Sequence, residues 1–164
     1  MKPIIITTVV LFFSSNLLLS QTQSFAANSL HFELLGNGLI YSLNYERAIA
    51  EGFSGRIGIG YLKVNGTEGS DESVSLMTVP IMANYILGSK SSHLELGIGV
   101  CIISLAEDIK ETLGVSGSAT LGTATFGYRY QREDGGIIFR IGITPFFGSI
   151  GFQLSGGLGF GYAF

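Results

Sequence analysis

The sequence predicts an all-β fold: an eight-stranded antiparallel up-and-down transmembrane β-barrel, preceded by a signal peptide. Three observations carry this. From Leu30 onward, apolar side chains recur at every second position, the period of a strand with two unlike faces. The alternation breaks into eight runs of roughly ten residues, and about ten tilted residues cross a bilayer. Within the runs, charge keeps almost entirely to one face.

Composition narrows the class. Charged residues make up 13% of the 164, about half the usual share of a soluble domain. There are 24 glycines, all from Gly36 onward. The net charge of −3 comes with no basic cluster to neutralise phosphates, so nucleic acid is not an expected partner. The single cysteine, Cys101, excludes an internal disulfide and a cysteine-based metal cage. No cofactor is expected.

Residues 1–26 read as an export signal. Lys2 supplies the positive start, Ile4 to Phe13 the apolar middle, and Ser24, Phe25 and Ala26 the small-x-small cleavage pattern before Ala27. As a membrane anchor, Ile4 to Leu19 is only 16 residues and is interrupted by Thr7, Thr8, Ser14, Ser15 and Asn16. Residues 27–164 form the barrel domain.

The elements follow in order. Leu30, Phe32 and Leu34 oppose His31 and Glu33 in the first run, and Asn37 and Gly38 predict a tight hairpin turn. Leu39, Tyr41, Leu43 and Tyr45 oppose Ser42, Asn44 and Glu46 in the second. The third sets Phe53, Ile57, Ile59 and Tyr61 against Arg56, Gly58 and Gly60. Met77, Val79, Ile81, Ala83 and Tyr85 form the apolar face of the fourth. The fifth places Leu94, Leu96, Ile98, Val100 and Ile102 against His93, Glu95, Gly97, Gly99 and Cys101. Phe126, Tyr128 and Tyr130 oppose Thr125, Gly127, Arg129 and Gln131 in the sixth. The seventh sets Ile137, Phe139, Ile141 and Ile143 against Arg140, Gly142 and Thr144. The last sets Leu158, Phe160, Tyr162 and Phe164 against Gly157, Gly159, Gly161 and Ala163.

The content of the polar face decides which way it points. It carries Glu33, Glu46 and Glu95 against Arg56, Arg129 and Arg140, with glycines between them. Lys63 lies off this face, at a strand end where it can snorkel. Glycine-rich strands make a poor soluble surface, but they suit a narrow interior that arginine and glutamate fill. Rings fall near strand ends on the apolar face: Tyr45, Phe53, Tyr61, Tyr85, Tyr130, Phe147, Tyr162 and Phe164. That matches aromatic girdles at two membrane interfaces. A soluble periplasmic barrel of the lipocalin type is the competing reading, with the same alternation and the faces exchanged.

The closing segment GGLGFGYAF, with Phe160, Tyr162 and Phe164 alternating against small residues, resembles the terminal strand of Gram-negative outer-membrane barrels. The pattern is closest to the small eight-stranded OmpA/OmpX-like barrels. YSLNYER, GYRY and FRIGITPFF also look like a largely uncharacterised group of outer-membrane barrels from Bacteroidetes-type bacteria. The resemblance implies outer-membrane localisation, contact with outer-membrane lipids, and a C-terminal assembly signal at Phe160, Tyr162 and Phe164 that the barrel-assembly machinery reads. It implies no catalytic residues.

Chemistry is sparse. Enzymes among small outer-membrane barrels need a histidine with serine or acid partners at the outer rim. His31 and His93 lie instead near the starts of the first and fifth strands, on the inward face, so no enzyme is expected. The glycine pairs of GRIGIGY and LELGIGV lie inside strands with no helix following, so they are not a phosphate-binding loop. Glu68, Asp71 and Glu72 read as a solvated loop.

The six charges form the one constellation of substance. Eight strands leave an interior just wide enough for side chains. Glu33, Glu46, Arg56, Glu95, Arg129 and Arg140 are therefore expected to plug the lumen as a hydrogen-bonded charge network. The alternative is a selectivity lining for a narrow pore for ions or small solutes. The expected function is a non-enzymatic structural or interaction barrel, with an extracellular partner reached through loops. The Asn37 turn, Asn65–Ser73, Leu105–Gly117 and the region Phe147–Phe152 would face outward. AIAEG, GSKSS and REDGG would be short periplasmic turns.

Overall fold

The computed structural model describes residues 26–65, 73–105, 118–149 and 151–164. The export signal and most of the Asn65–Ser73 and Leu105–Gly117 connections lie outside the described residues. The strands are β1 (Asn28–Leu35), β2 (Tyr41–Ala50), β3 (Phe53–Asn65), β4 (Ser73–Ser89), β5 (Ser92–Leu105), β6 (Ser118–Gln131), β7 (Gly136–Gly148) and β8 (Gly151–Ala163). Each pairs antiparallel with the next, and β1 pairs with β8, so the sheet closes into a barrel with sequential strand order.

The closing seam runs from Ser29 opposite Ala163 to Leu35 opposite Gly157. Beyond it, Asn28 and Phe164 exchange backbone hydrogen bonds of 3.0 and 2.8 Å. Asn28 and Phe164 therefore sit together at one end of the barrel, here the terminal end. The short turns Glu51–Gly52, Lys90–Ser91 and Arg132–Gly135 lie at this same end, as expected of AIAEG, GSKSS and REDGG.

The two faces separate as the alternation requires. Glu33, Glu46, Arg56, Glu95, Arg129 and Arg140 are buried within the barrel, with Ser42, Asn44, Ser54, Thr78, Asn84, Thr123 and Thr144. Leu30, Phe32, Leu43, Ile57, Ile59, Ile81, Ile98, Phe126, Ile141 and Phe160 are exposed on the outside, Ile98 to 72%. An apolar belt on all eight strands far exceeds the patches a soluble monomer shows. Its natural solvent is lipid. No helix among the described residues is long and apolar enough to cross a membrane, and the elements of crossing length are the strands.

Rings mark both ends of the belt. Phe53 and Tyr85 meet at 4.5 Å near the terminal end, and Phe147 and Phe152 at 5.4 Å near the far end.

Several strands exceed the ten residues the alternation marks. β4 has 17, β5 and β6 have 14, and β7 and β8 have 13. The excess lies at the far end. In β6 it is Ser118–Gly122, where Leu121 stands alone among small residues and no hydrophobic alternation shows. In β7 and β8 the ladder continues through Phe147 opposite Phe152 to Gly148 opposite Gly151, so the expected loop there is a hairpin tip.

The β1–β2 connection departs from expectation. The Asn37–Gly38 turn was expected to be a tight hairpin facing outward. It is a single 3-10 turn, Gly36–Gly38, folded into the barrel with Asn37 at 0% exposure. Leu39 was expected on the outer face with Tyr41 and Leu43. It packs instead against an inner apolar cluster of Cys101, Leu121 and Phe146, beside Ile103. The reason is local geometry. Leu35 and Leu39 take positive φ of 56° and 73°, which swings the chain off the strand path and turns Leu39 inward.

Candidate functional site: the charged lumen

Each of the six charged residues comes from a strand position facing inward. Glu33 is on β1, Glu46 on β2, Arg56 on β3, Glu95 on β5, Arg129 on β6 and Arg140 on β7. The barrel brings them together in two groups.

The larger group holds Glu46, Glu95, Arg129 and Arg140. Arg129 Nη1 donates to Glu46 Oε1 at 2.7 Å and lies 3.7 Å from Glu95 Oε2. Its Nε donates to Gln131 Oε1 at 2.8 Å. Arg140 Nε donates to Glu95 Oε2 at 2.8 Å, and its Nη2 donates to Glu95 Oε1, a bidentate grip. Arg140 Nη1 lies 3.8 Å from Glu46 Oε2 and also contacts His31 Nε2. Glu46 Oε1 further accepts from Ser54 Oγ and, at 3.4 Å, from Asn84 Nδ2.

The smaller group holds Glu33, Arg56 and Asn37. Arg56 Nη1 lies 3.3 Å from Glu33 Oε1, and Arg56 Nη2 donates to Asn37 Oδ1. Register places Arg56 directly opposite Glu46 on the neighbouring strand, yet its head group joins Glu33 and Asn37. The long arginine stem lets the charge leave its register partner, which Arg129 and Arg140 already serve.

Glycines make room for these heads. Gly127 and Gly142 face each other across β6 and β7, one step along from Arg129 and Arg140. A Cβ on either would lie 2.8 Å from the other's Cα. Gly97 and Gly58 are similarly tight against the side chains of Asn84 and Asn44.

Among the described residues, small voids border both charged groups. A void beside Glu33, Glu95, Arg140 and Thr144 measures about 10 Å³, and so does one beside Glu46, Ser54, Arg129 and Gln131. Each is about the space of one water molecule. Above the smaller charged group lies the apolar cluster of Cys101, Leu121 and Phe146.

Two buried residues at the site were missed or underread in the sequence. Asn37 donates through Nδ2 to Thr123 Oγ1 at 2.8 Å and to the Ala124 carbonyl at 3.4 Å, and it accepts from Thr125 Oγ1 at 2.9 Å. Nothing in the Asn-Gly dipeptide distinguishes an inward turn from an outward one. His31, read as a buried polar-core residue, is buried as such but touches Arg140 directly. Both His31 and His93 lie within the barrel, at 1% and 3% exposure, away from the far rim.

The three residues of the resembled assembly signal sit at the seam end. Phe160 and Tyr162 face outward, and Phe160 meets Phe139 edge-on at 5.1 Å. Phe164 is exposed and paired to Asn28 only through its backbone. Among the described residues, no group of three or more histidine, cysteine or acidic side chains is placed to hold a metal ion.

No protein-family model matches the chain, and no curated protein sequence matches it. Solved structures do. The N-terminal β-barrel domain of Pseudomonas aeruginosa OprF aligns over 85% of this chain and 99% of its own, at 16% identity and a TM-score of 0.58. Ail, the attachment invasion locus protein of Yersinia pestis, aligns over 85% of this chain and 98% of its own, at 12% identity and a TM-score of 0.42. The fold of this chain is that of the OprF barrel domain: a small, closed, eight-stranded antiparallel barrel.

Proposed function

We propose that the protein is a non-enzymatic barrel of a Gram-negative outer membrane, with a structural or interaction role and a lumen plugged by its glutamates and arginines. One observation carries the reading: the charged residues lie inside and the apolar belt outside. A soluble barrel of the lipocalin type needs the opposite arrangement, with an apolar interior to receive its ligand. The likeness to OprF supports the fold of such a barrel, and the belt supports its place among outer-membrane lipids. Assembly by the barrel machinery and an extracellular partner reached through the far-end connections belong to the same proposal.

The plug rests on chemistry. Three acids and three arginines balance, and their head groups bond to one another across the lumen. A hydrated ion would have to part these pairs to pass. The second reading, a narrow pore, draws on the same polar lining. Reconstitution into planar lipid bilayers separates the two. A plugged barrel inserts and stays electrically silent. Steady unitary currents would sink the plug and favour the pore.

A further inference from the structure

We propose that the inward turn Leu35–Ile40 is a second seal: a hinged plug that closes the far half of the lumen above the group of Glu46, Glu95, Arg129 and Arg140. This rests on the plugged-barrel reading and adds a distinct part to it.

The turn spans the barrel. Its three 3-10 residues touch β3, β4, β6, β7 and β8 as well as their own hairpin. Asn37 is anchored to the wall opposite its own strands, through Thr123, Ala124 and Thr125 of β6. Thr78 of β4 donates to the Gly38 carbonyl at 3.0 Å, and the Asn37 amide donates to Glu33 at 3.3 Å. Gly36 lies against Gly157 of β8, where a Cβ would stand 3.2 Å from the Gly36 Cα. Leu39 completes the apolar layer of Cys101, Leu121 and Phe146.

The attachment is asymmetric. Across the lumen the plug is held by side-chain hydrogen bonds; the Gly36–Gly157 packing is with the neighbouring strand β8, whose ladder with β1 ends at Leu35. At its base stand two leucines with positive φ, a conformation that bulky residues hold only when their surroundings enforce it. A segment anchored by few groups and strained at both hinges is the kind that opens locally while the rest of the fold stays closed. Swinging it out would uncover Cys101 and break the Arg56–Asn37 contact, while Glu46, Glu95, Arg129 and Arg140 below keep one another as partners.

Cys101 is the reporter. It faces the lumen, is 0% exposed, and is the chain's only cysteine. The test is the rate at which a bulky, water-soluble maleimide labels the folded full-length protein in liposomes. Wild type labels slowly, whereas boiled protein labels completely. Asn37→Ala releases the far anchor, and Gly157→Val crowds Gly36 from the neighbouring strand β8 without changing a residue of the turn. Each is expected to label about tenfold faster or more, Asn37→Ala because it loses the bonds to Arg56, Thr123, Ala124 and Thr125, and Gly157→Val because it crowds Gly36. Gly156→Ala, next along β8 where the nearest group is a carbonyl at 3.6 Å, keeps the wild-type rate. Bilayer recordings of the Gly157→Val barrel remain silent, because Glu46, Glu95, Arg129 and Arg140 still seal the path.

Rapid labelling of folded wild type would overturn the plug, as would wild-type protection of Cys101 in folded Asn37→Ala and Gly157→Val. Steady conductance of wild type is a different failure: it would remove the plugged-barrel reading itself.

Discussion

Arg129 and Arg140 stand directly opposite each other on β6 and β7. Like charges in that position repel. Here each guanidinium reaches a carboxylate on another strand, Arg129 to Glu46 and Arg140 to Glu95, and each also lies within 4 Å of the other's acid at 3.7 and 3.8 Å. The two arginines are held together by two shared acids. The acids hold four strands to one another from within: β2, β5, β6 and β7.

Removing one member therefore leaves a buried charge uncompensated. Arg140→Ala is expected to cost about 3–5 kcal/mol, because Glu95 loses its bidentate partner in a desolvated site. The midpoint temperature of the boiling-dependent gel shift reads this. The Glu95→Ala, Arg140→Ala double variant should recover part of the loss, a coupling of about 0.5–3 kcal/mol. Independent, additive losses would mean that the pair is a bystander.

The fold was legible because a barrel enforces period two on every strand. Glu33, Glu95 and Arg140 each fall between apolar neighbours, so their shared interior could be read without knowing their partners. Partners were not legible. Arg56 is in register with Glu46 but bonds to Glu33 and Asn37, since a long side chain chooses by available charge and not by register. The turn was misread for a related reason. Asn37 and Leu39 are placed by groups far along the chain, on β5, β6 and β7, that no local pattern contains. Strand ends such as Ser118–Gly122 were hidden because small residues around a single leucine carry no alternation.

Glycine spacing gives a second prediction. Gly161 on β8 faces His31 across the closing seam, and a Cβ there would collide with the Leu30 carbonyl and the His31 side chain. Gly161→Ala is expected to hinder seam closure and abolish the boiling-dependent shift. Gly156→Ala, where the nearest group is a carbonyl at 3.6 Å, is expected to behave as wild type. Equal behaviour of the two would show that the seam tolerates a methyl group and that the interior is looser than described.

The outer belt gives a third. Ile141 sits mid-strand on β7 with its side chain exposed. Ile141→Arg in a lipid-facing position is expected to cost about 2–4 kcal/mol of folding free energy in bilayers. Urea titration of the refolded barrel in liposomes measures it. In a soluble barrel the same change would be neutral and would improve solubility.

The most direct test of an inside-out barrel is where the full-length protein fractionates, and how it runs before and after boiling. Expected is recovery in the outer-membrane fraction, extraction only with detergent, and a band whose mobility changes on boiling. Recovery in the detergent-free periplasmic extract, with one band at the same position heated or not, would contradict a lipid-facing belt.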